Sequence, residues 1–303
     1  HPTRSVKSFL VDMTHNREYE TLSISKTAEH TRAFLKVQDG CNQFCTYCII
    51  PYARGRVRSR RQSDVVEEVK RLAEAGYQEV VLTGIHLSSY GLDFPEGEKE
   101  TLLDLIRAVD AVDGIRRIRL GSLEPGIITE EFAERSPQCR SVPAFPSFAA
   151  ERKQWNTEAD EPEIYRRRNT NTKCDLLRKV YGNPALTTDV IVGFPQESEE
   201  EFEESRAFVE DIHFFETHIF KYSRREGTRA AAMAGQIPEQ EKTKRSHVLL
   251  ELDERRRQEY MEGFSEKSWK CSWKKKSRST ASVTGRDTRE NICALLFFQK
   301  KIS

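Results

Sequence analysis

An α/β fold whose parallel sheet curls toward an open or partial barrel is what this sequence predicts, and three observations carry that expectation. Short apolar strands alternate with amphipathic helices at least five times along the chain, and each β-then-α crossover returns the chain to the same end, so the strands run parallel. The 303 residues suffice for one barrel-sized core or two ordinary ones. No stretch approaches the roughly 18 consecutive apolar residues of a membrane span. The opening HPTRSVKSFLVDMTHNREYE also lacks the apolar centre of a secretory signal, so a soluble, cytoplasmic protein is expected.

The elements follow in order. RAFLKVQ (Arg32 to Gln38) reads as a strand, and SDVVEEVKRLAEAGY (Ser63 to Tyr77) as a helix capped by Ser63 with Glu67 and Glu68 in its opening turns. EVVLTG (Glu79 to Gly84) is an apolar strand of the buried type, TLLDLIRAVDAV is helical, IRRIRLGS (Ile115 to Ser122) is a strand, and IITEEFAER opens a helix. LTTDVIVGF (Leu186 to Phe194), the acidic helix ESEEEFEESRAFVEDI, the strand FETHIFKY and a long charged helix from about Pro238 to Met261 complete the series. In a barrel of this kind, chemistry collects on the loops that follow the carboxyl ends of the strands.

Charge is balanced, 49 Lys plus Arg against 48 Asp plus Glu, so a nucleic-acid partner must be argued locally. Seven cysteines, an odd number with three clustered, fit a reducing compartment better than a disulfide framework. Cys41, Cys45 and Cys48 stand in the spacing C-x-x-x-C-x-x-C on the loop after the first strand. Three thiolates so spaced can hold three irons of a cubane and leave the fourth without a protein ligand. A zinc knot completed by a distant His, or three ordinary thiols, are the competing readings. Structural zinc usually takes its ligands from paired two-cysteine turns, and no second pair or His-x-x-x-His is present.

With Tyr47 just before the last cysteine, this loop resembles the cluster loop of radical S-adenosylmethionine enzymes. The strings GCNQFCTYCIIPYARGRVRSR, LTGIHLSSYG, RIRLGSLEP, TTDVIVGFPQESEEEF and THIFKYSRREGTRAA are similar to the methylthiotransferases of that superfamily, in particular those acting on N6-threonylcarbamoyladenosine at position 37 of tRNA. The resemblance covers about residues 8 to 135 and 176 to 264. It implies a partial (β/α) barrel over 34–264 and a [4Fe-4S] cluster on Cys41, Cys45 and Cys48. It also implies S-adenosyl-L-methionine chelated to the open iron, an electron donor for the cluster, and hydrogen removal from C2 of the adenine ring by an adenosyl radical. The cofactor carries the hard chemistry and the protein supplies placement.

Residues at the other strand ends are then expected to border the cofactor: Tyr47 on the cluster loop, Thr83 and Gly84 after the second strand, Ser122 and Glu124 after the third, and Asp189, Gly193 and Phe194 in TDVIVGFP. A simple turn accounts for either glycine, and a solvated carboxylate for Glu124, on a plainer reading. Tyr52 with Arg54, Arg56, Arg58, Arg60 and Arg61 follows the cluster on the same loop. A charge run is usually a solvated face, but here these side chains are expected to stack on or pair with the anticodon loop of tRNA, or in part to hold the cofactor carboxylate.

Three intervals depart from the family. Residues 1–33 resemble only the exit from an amino-terminal domain that carries three further cysteines in the family. The stretch 135–175 breaks the β/α rhythm where the family has a strand, and lacks a convincing apolar face. One permitted codon choice for FPSFAAERKQWNTEADEPEIY (Phe145 to Tyr165), read one base later, gives SHLSLQSGSNGTLKRMNRRY, which resembles that strand and the loop after it. The tail 265–303 behaves alike: codons for Glu266 to Lys276, read two bases later, permit KKLEVLMEE, similar to the start of the family's small RNA-binding barrel. Both intervals are therefore expected to be read out of frame, with Cys174, Cys271 and Cys293 as accidents of frame and not ligands. The expectation is a methylthiotransferase lineage whose activity is lost in this chain. The alternatives are another radical enzyme with a single cluster, or a non-catalytic remnant that binds iron or tRNA.

Overall fold

The computed structural model describes Tyr19 and residues 32–135, 147–148, 167–182 and 184–263. Strand β1 (Ala33–Asp39) alternates buried and exposed side chains until its last three residues, which are all buried. The cysteine loop follows, then the short helix α1 (Ile50–Arg54), with Pro51 in its first turn where a missing N–H costs nothing. Inside the arginine run lies a two-residue strand, β2 (Arg58–Ser59), antiparallel to the end of β1.

Helix α2 (Gln62–Glu74) begins one residue before the expected cap: Arg61 holds the cap position and Ser63 lies inside the helix. The reason is tertiary, since the Glu100 carboxylate accepts the Gln62 N–H at 2.9 Å and supplies the cap from another loop. Strand β3 (Glu79–Gly84) and helix α3 (Leu102–Asp110) come next, the helix opened by a reciprocal capping box between Thr101 and Asp104. Strand β4 (Arg117–Leu120) and helix α4 (Glu130–Arg135) end the first half.

The second half holds β5 (Ser147–Phe148), α5 (Arg167–Tyr181), β6 (Thr187–Val192), α6 (Glu199–Ile212) with a capping box on Ser198, β7 (Glu216–Lys221), α7 (Arg229–Ala232) and α8 (Glu239–Glu262). Strand orders are β2-β1-β3-β4 and β5-β6-β7. Apart from β2, every pairing is parallel, as the β/α alternation requires. Among the described residues no pairing joins β4 to β5, so the sheet is split at the place where the family strand is expected. The only described strand there is β5, which meets β6 through Ser147↔Thr187 and Phe148↔Thr188.

The expectation that 135–175 lacks an apolar face is corrected at its end. Helix α5 starts at Arg167, and Thr170, Cys174 and Leu177 are buried in it. Threonine, cysteine and leucine at this spacing share one face. Burial pushes the Cys174 thiol up to about 12, so it acts as a small apolar filler. Of the expected segment 1–33, Tyr19 donates its hydroxyl to the Lys36 carbonyl on β1; the rest before Arg32 and the whole tail 265–303 lie outside the described residues. No helix among them is long and apolar enough to cross a membrane.

One apolar cluster runs under both sheets. It contains Leu35, Val37, Val80, Leu82 and Ile118 from the first, Val190 and Val192 from the second, and the inner faces of α2, α3, α6 and α8. Each such side chain contributes about 1.5–3 kcal/mol on burial. Strands β1, β3, β4 and β6 therefore turn one face to helices, which leaves the other face, and the carboxyl ends, for chemistry.

Gly193, expected to border the cofactor, is also required by the fold. It sits at φ +70°, and a Cβ there would lie 2.3 Å from Lys242 Cγ on α8. Its N–H donates to Glu197 at 2.7 Å, and that carboxylate takes Arg245 at 2.6 Å in a buried pair. Lys242 continues past the glycine to the Tyr222 carbonyl at 3.0 Å. Gly193→Ala is expected to destabilise the chain by about 1–3 kcal/mol, from the left-handed backbone and the displaced lysine together. An unchanged urea midpoint for this variant would show that α8 does not lie against this turn.

Candidate functional site

Cys41, Cys45 and Cys48 sit on the loop between β1 and α1, and its shape is set by buried polar groups on both sides. The Gln38 carboxamide, completely buried, donates to the Asp39 and Gly40 carbonyls at 2.7 Å each and accepts the His86 N–H at 2.7 Å. Asp39 accepts from the Gly40 N–H at 2.9 Å, Lys36 at 2.6 Å and Arg58 at 3.2 Å. Burial alone would raise the Asp39 carboxyl, but the hydrogen bonds from Lys36 and Gly40 and the charge of Arg58 outweigh it and hold it below the usual carboxylate range. The loop closes on itself through Cys41 N–H to Gly55 O at 3.1 Å and Val57 N–H to Asn42 Oδ1 at 3.2 Å.

The loop after β7 holds the opposite side. Ala230 N–H donates to Thr46 O at 2.9 Å and Arg229 to Phe44 O at 3.4 Å. Tyr47 packs into a small cluster with Phe194, Tyr222, Ala230, Ile191 and Met233. First and last strands of the half-barrel are thereby tied together at the cysteines.

Does this loop fit an iron–sulfur cluster? Cys41 is buried and Cys45 and Cys48 are half-buried, all as thiols. The Gln43 N–H points at Cys41 Sγ at 3.5 Å, a contact that favours thiolate. Two hydroxyls beside them, Thr46 Oγ1 and Tyr222 Oη, are buried with no hydrogen-bond partner among the described residues, which marks groups awaiting a bound molecule. Among the described residues no three His, Cys, Asp or Glu side chains converge as a single ion would need. The fit rests on the donor set and the orphaned hydroxyls, and on those grounds the residues suit the cluster.

The other strand ends form a connected network. Thr83 Oγ1 donates to Leu35 O at 3.1 Å. Gly84 is required because a Cβ would meet Gln38 Oε1 at 2.7 Å. Ser122 follows β4 and is exposed. Glu124, far from being a solvated carboxylate, pairs with His86, and its N–H donates to Ser88 Oγ at 2.8 Å; His86 Nδ1 meets Ser89 Oγ at 2.6 Å. Sequence reading gave no role to Gln38 or His86, although Gln38 ends the strand RAFLKVQ and His86 lies inside LTGIHLSSYG; a glutamine in an apolar strand was the available signal.

The arginine run divides in two. Arg58 and Arg60, expected at the RNA, are buried: Arg58 is bound to Asp39, and Arg60 pairs with Glu68 at 2.5 Å with both side chains under 10 % exposed. Ser59 between them is buried too, accepting the Gly91 N–H while its own N–H donates to Asp93, so the whole stretch is packed under the loop after β3. Arg54, Arg56 and Tyr52 do face solvent. Arg56 lies over the Phe44 ring at 4.4 Å, and Phe44 meets Tyr52 edge-on at 5.4 Å, giving an exposed aromatic and cationic surface beside the cysteines. Arg61 is engaged by Glu98 at 2.8 Å.

A half-barrel of parallel strands with three cysteines at this spacing after the first strand defines a radical S-adenosylmethionine domain. Residues 35–136 match the model of the Radical SAM superfamily. The fold is similar to that of the radical S-adenosylmethionine methyltransferase TsrM from Kitasatospora setae, with a TM-score of 0.52 and 19 % identity over 66 % of this chain and 38 % of that one. In sequence the chain is 40 % identical over 251 residues to the threonylcarbamoyladenosine tRNA methylthiotransferase MtaB of Bacillus subtilis (strain 168), covering 80 % of this chain and 54 % of the relative. It is 39 % identical over 236 residues to MtaB of Aquifex aeolicus (strain VF5), covering 77 % of this chain and 56 % of the relative. It is 36 % identical over 228 residues to the tRNA-2-methylthio-N(6)-dimethylallyladenosine synthase of Clostridium botulinum (strain Loch Maree / Type A3), covering 73 % and 49 %. Residues 35–136 are a radical S-adenosylmethionine domain, and the chain as a whole is similar to the methylthiotransferases of that superfamily. It spans about half the length of these relatives.

If Arg60 serves the fold, Arg60→Met should cost about 3–5 kcal/mol by leaving Glu68 buried and unpaired, while Arg60→Met with Glu68→Leu should recover much of the loss. Arg56→Ala should stay within about 0.5 kcal/mol of the parent. Urea unfolding of the three variants measures this; equal midpoints for Arg60→Met and Arg56→Ala would restore Arg60 to the surface.

Proposed function

We propose that this chain is the radical S-adenosylmethionine core of a tRNA methylthiotransferase, whose reaction places a methylthio group on C2 of N6-threonylcarbamoyladenosine at position 37. The observation that carries the reading is the Cys41, Cys45, Cys48 loop, seated at the carboxyl end of β1 and clasped by the segment after β7, together with the 40 % identity to a protein of that name. Cys41, Cys45 and Cys48 would hold the [4Fe-4S] cluster. When bound, the cluster supplies the electron that cleaves S-adenosyl-L-methionine for hydrogen removal. Tyr47, Thr83, Ser122 and Glu124 border the place where that cofactor would lie, and Asp189 faces it from β6. The Glu124–His86 pair fixes the carboxylate, and the apolar cluster around Tyr47 and Phe194 keeps water from that side.

The RNA is met at the surface beside the cluster. Tyr52, Arg54, Arg56 and Phe44 offer stacking faces and cations to a splayed anticodon loop, the single-stranded target that base-reading proteins prefer. An external electron donor and a cytoplasmic setting belong to the same reading. The domain reading is part of the proposal: an exit segment over 1–33, the core over 34–264 with 135–175 out of frame, and an out-of-frame remnant over 265–303. The out-of-frame reading of 135–175 and 265–303 leads us to expect cofactor binding without methylthiolation from these 303 residues.

Anaerobic reconstitution tests the site. One four-iron cluster should form, S-adenosylmethionine should perturb its electron-paramagnetic signal, and Cys41→Ala should abolish iron binding where Cys271→Ala does not. A full iron complement in the absence of Cys41 and Cys45 sinks the assignment. For the reaction, tRNA nucleosides from cells lacking the native enzyme should show no 2-methylthio product with the present chain. Product should appear once both intervals are returned to frame and an upstream domain with its three cysteines is joined. Product from the present chain would overturn the expected inactivity, and none from the repaired gene would overturn the family function.

A further inference from the structure

Tyr222, the residue after β7, is held at every point but one. Its N–H donates to the Val192 carbonyl at 2.8 Å, and its own carbonyl accepts Lys242 Nζ at 3.0 Å. The ring meets Phe194 edge-on at 5.3 Å, and the same Lys242 ammonium lies 5.3 Å from its centre. Only 4 % of the residue is exposed. The hydroxyl at the end of this fixed ring is buried and has no hydrogen-bond partner among the described residues. Phenylalanine would fill the same space without leaving a buried donor unmet.

Thr46 repeats the pattern. It stands between Cys45 and Cys48, is 7 % exposed, and its hydroxyl is buried without a partner among the described residues. The two hydroxyls belong to one layer: Thr46 O accepts the Ala230 N–H at 2.9 Å, and Ala230 packs with Tyr222 and with Tyr47 of the cysteine loop. Phe194, Ile191 and Met233 make the rest of that layer apolar. Burial pushes the Tyr222 hydroxyl up from its ordinary value, so at neutral pH it keeps its proton and can donate it. Two donors left unmet in a dry layer packed on the three-cysteine loop call for an acceptor that the loop carries and the protein chain does not supply.

We infer that Tyr222 Oη and Thr46 Oγ1 donate hydrogen bonds to sulfur atoms of the iron–sulfur cluster on Cys41, Cys45 and Cys48, and that these two donors raise its reduction potential. The inference rests on the function proposed above for the presence of the cluster, and adds which side chains outside the ligand set tune it. Sulfide and thiolate sulfurs accept hydrogen bonds and carry no proton of their own, so they match hydroxyls that lack an acceptor. Reduction adds a negative charge to the cluster, and an O–H dipole at sulfur stabilises the reduced form more than the oxidised one. The effect is strongest where water is excluded, as it is in this layer. A water trapped between the two hydroxyls is the competing occupant, and it would satisfy them whether or not iron is present.

The test uses the 303-residue chain, reconstituted anaerobically and titrated with dithionite while the electron-paramagnetic signal of the reduced cluster is followed. Tyr222→Phe and Thr46→Val should each keep the iron content of the parent but lower the midpoint. About tenfold less cluster should then be reduced at a given potential, a shift of about 59 mV for one electron. Thr46→Ser, which keeps the hydroxyl, should titrate with the parent. Melted without iron, Tyr222→Phe should be at least as stable as the parent, because it removes an unmet donor. A lowered melting temperature for the iron-free variant would show that a trapped water already satisfies the hydroxyl, and would overturn the inference. So would unchanged midpoints in both Tyr222→Phe and Thr46→Val. A parent chain that takes up no iron fails the proposed function and this inference together, whereas a full cluster with unmoved midpoints fails this inference alone.

Discussion

The buried carboxamide of Gln38 is the contact on which the working end of this molecule depends. Its amide hydrogens hold the carbonyls of Asp39 and Gly40, which start the cysteine loop, and its oxygen holds the His86 N–H, which starts the loop after β3. With all three bonds made, the amide tolerates complete burial; with any one missing it would leave an orphaned polar group at a cost of about 1–3 kcal/mol. The same side chain explains why position 84 is glycine, since any larger residue meets it. From His86 the network continues to Glu124 and the loop after β4. Three strand ends thus move as one piece, which is what placing a cofactor to a fraction of an ångström demands.

A second clasp works from the far side. The turn after β7 reaches back to Thr46 between the cysteines, and Lys242 of α8 fills the notch above Gly193 before ending on the Tyr222 carbonyl. The cysteine loop is therefore supported by the first and last strands of the half-barrel, and among the described residues no pairing joins β4 to β5. The two halves are held together below the loops because they contribute to one continuous apolar cluster.

The arginine run shows how one pattern can serve two ends. Arg58 and Arg60 neutralise Asp39 and Glu68 inside the protein, where an unpaired carboxylate would be costly, while Arg54 and Arg56 stay in solvent next to Phe44 and Tyr52. The charges of the paired arginines are offset by their carboxylates, so the local positive potential comes from those left in solvent. Only the two outside, with Arg61 shared with Glu98, can lend it to a nucleic acid.

By itself the sequence determined the parallel α/β series, the order and approximate bounds of the strands, the position of the three cysteines on a strand-end loop and the family strings. These are local signals, written in alternation, caps and spacing, and they survive wherever the chain folds. It was silent on β2, on the Glu100 cap of α2, on Gln38 and His86, and on which arginines turn inward, because each of these is settled by a partner on another element, from Glu68 for Arg60 to His86 for Gln38, at a separation of 48. It also misjudged α5: the buried face through Thr170, Cys174 and Leu177 exists only because neighbouring helices and the β4 side of the core cover it. Burial is a property of two surfaces, and one stretch of sequence shows only one of them.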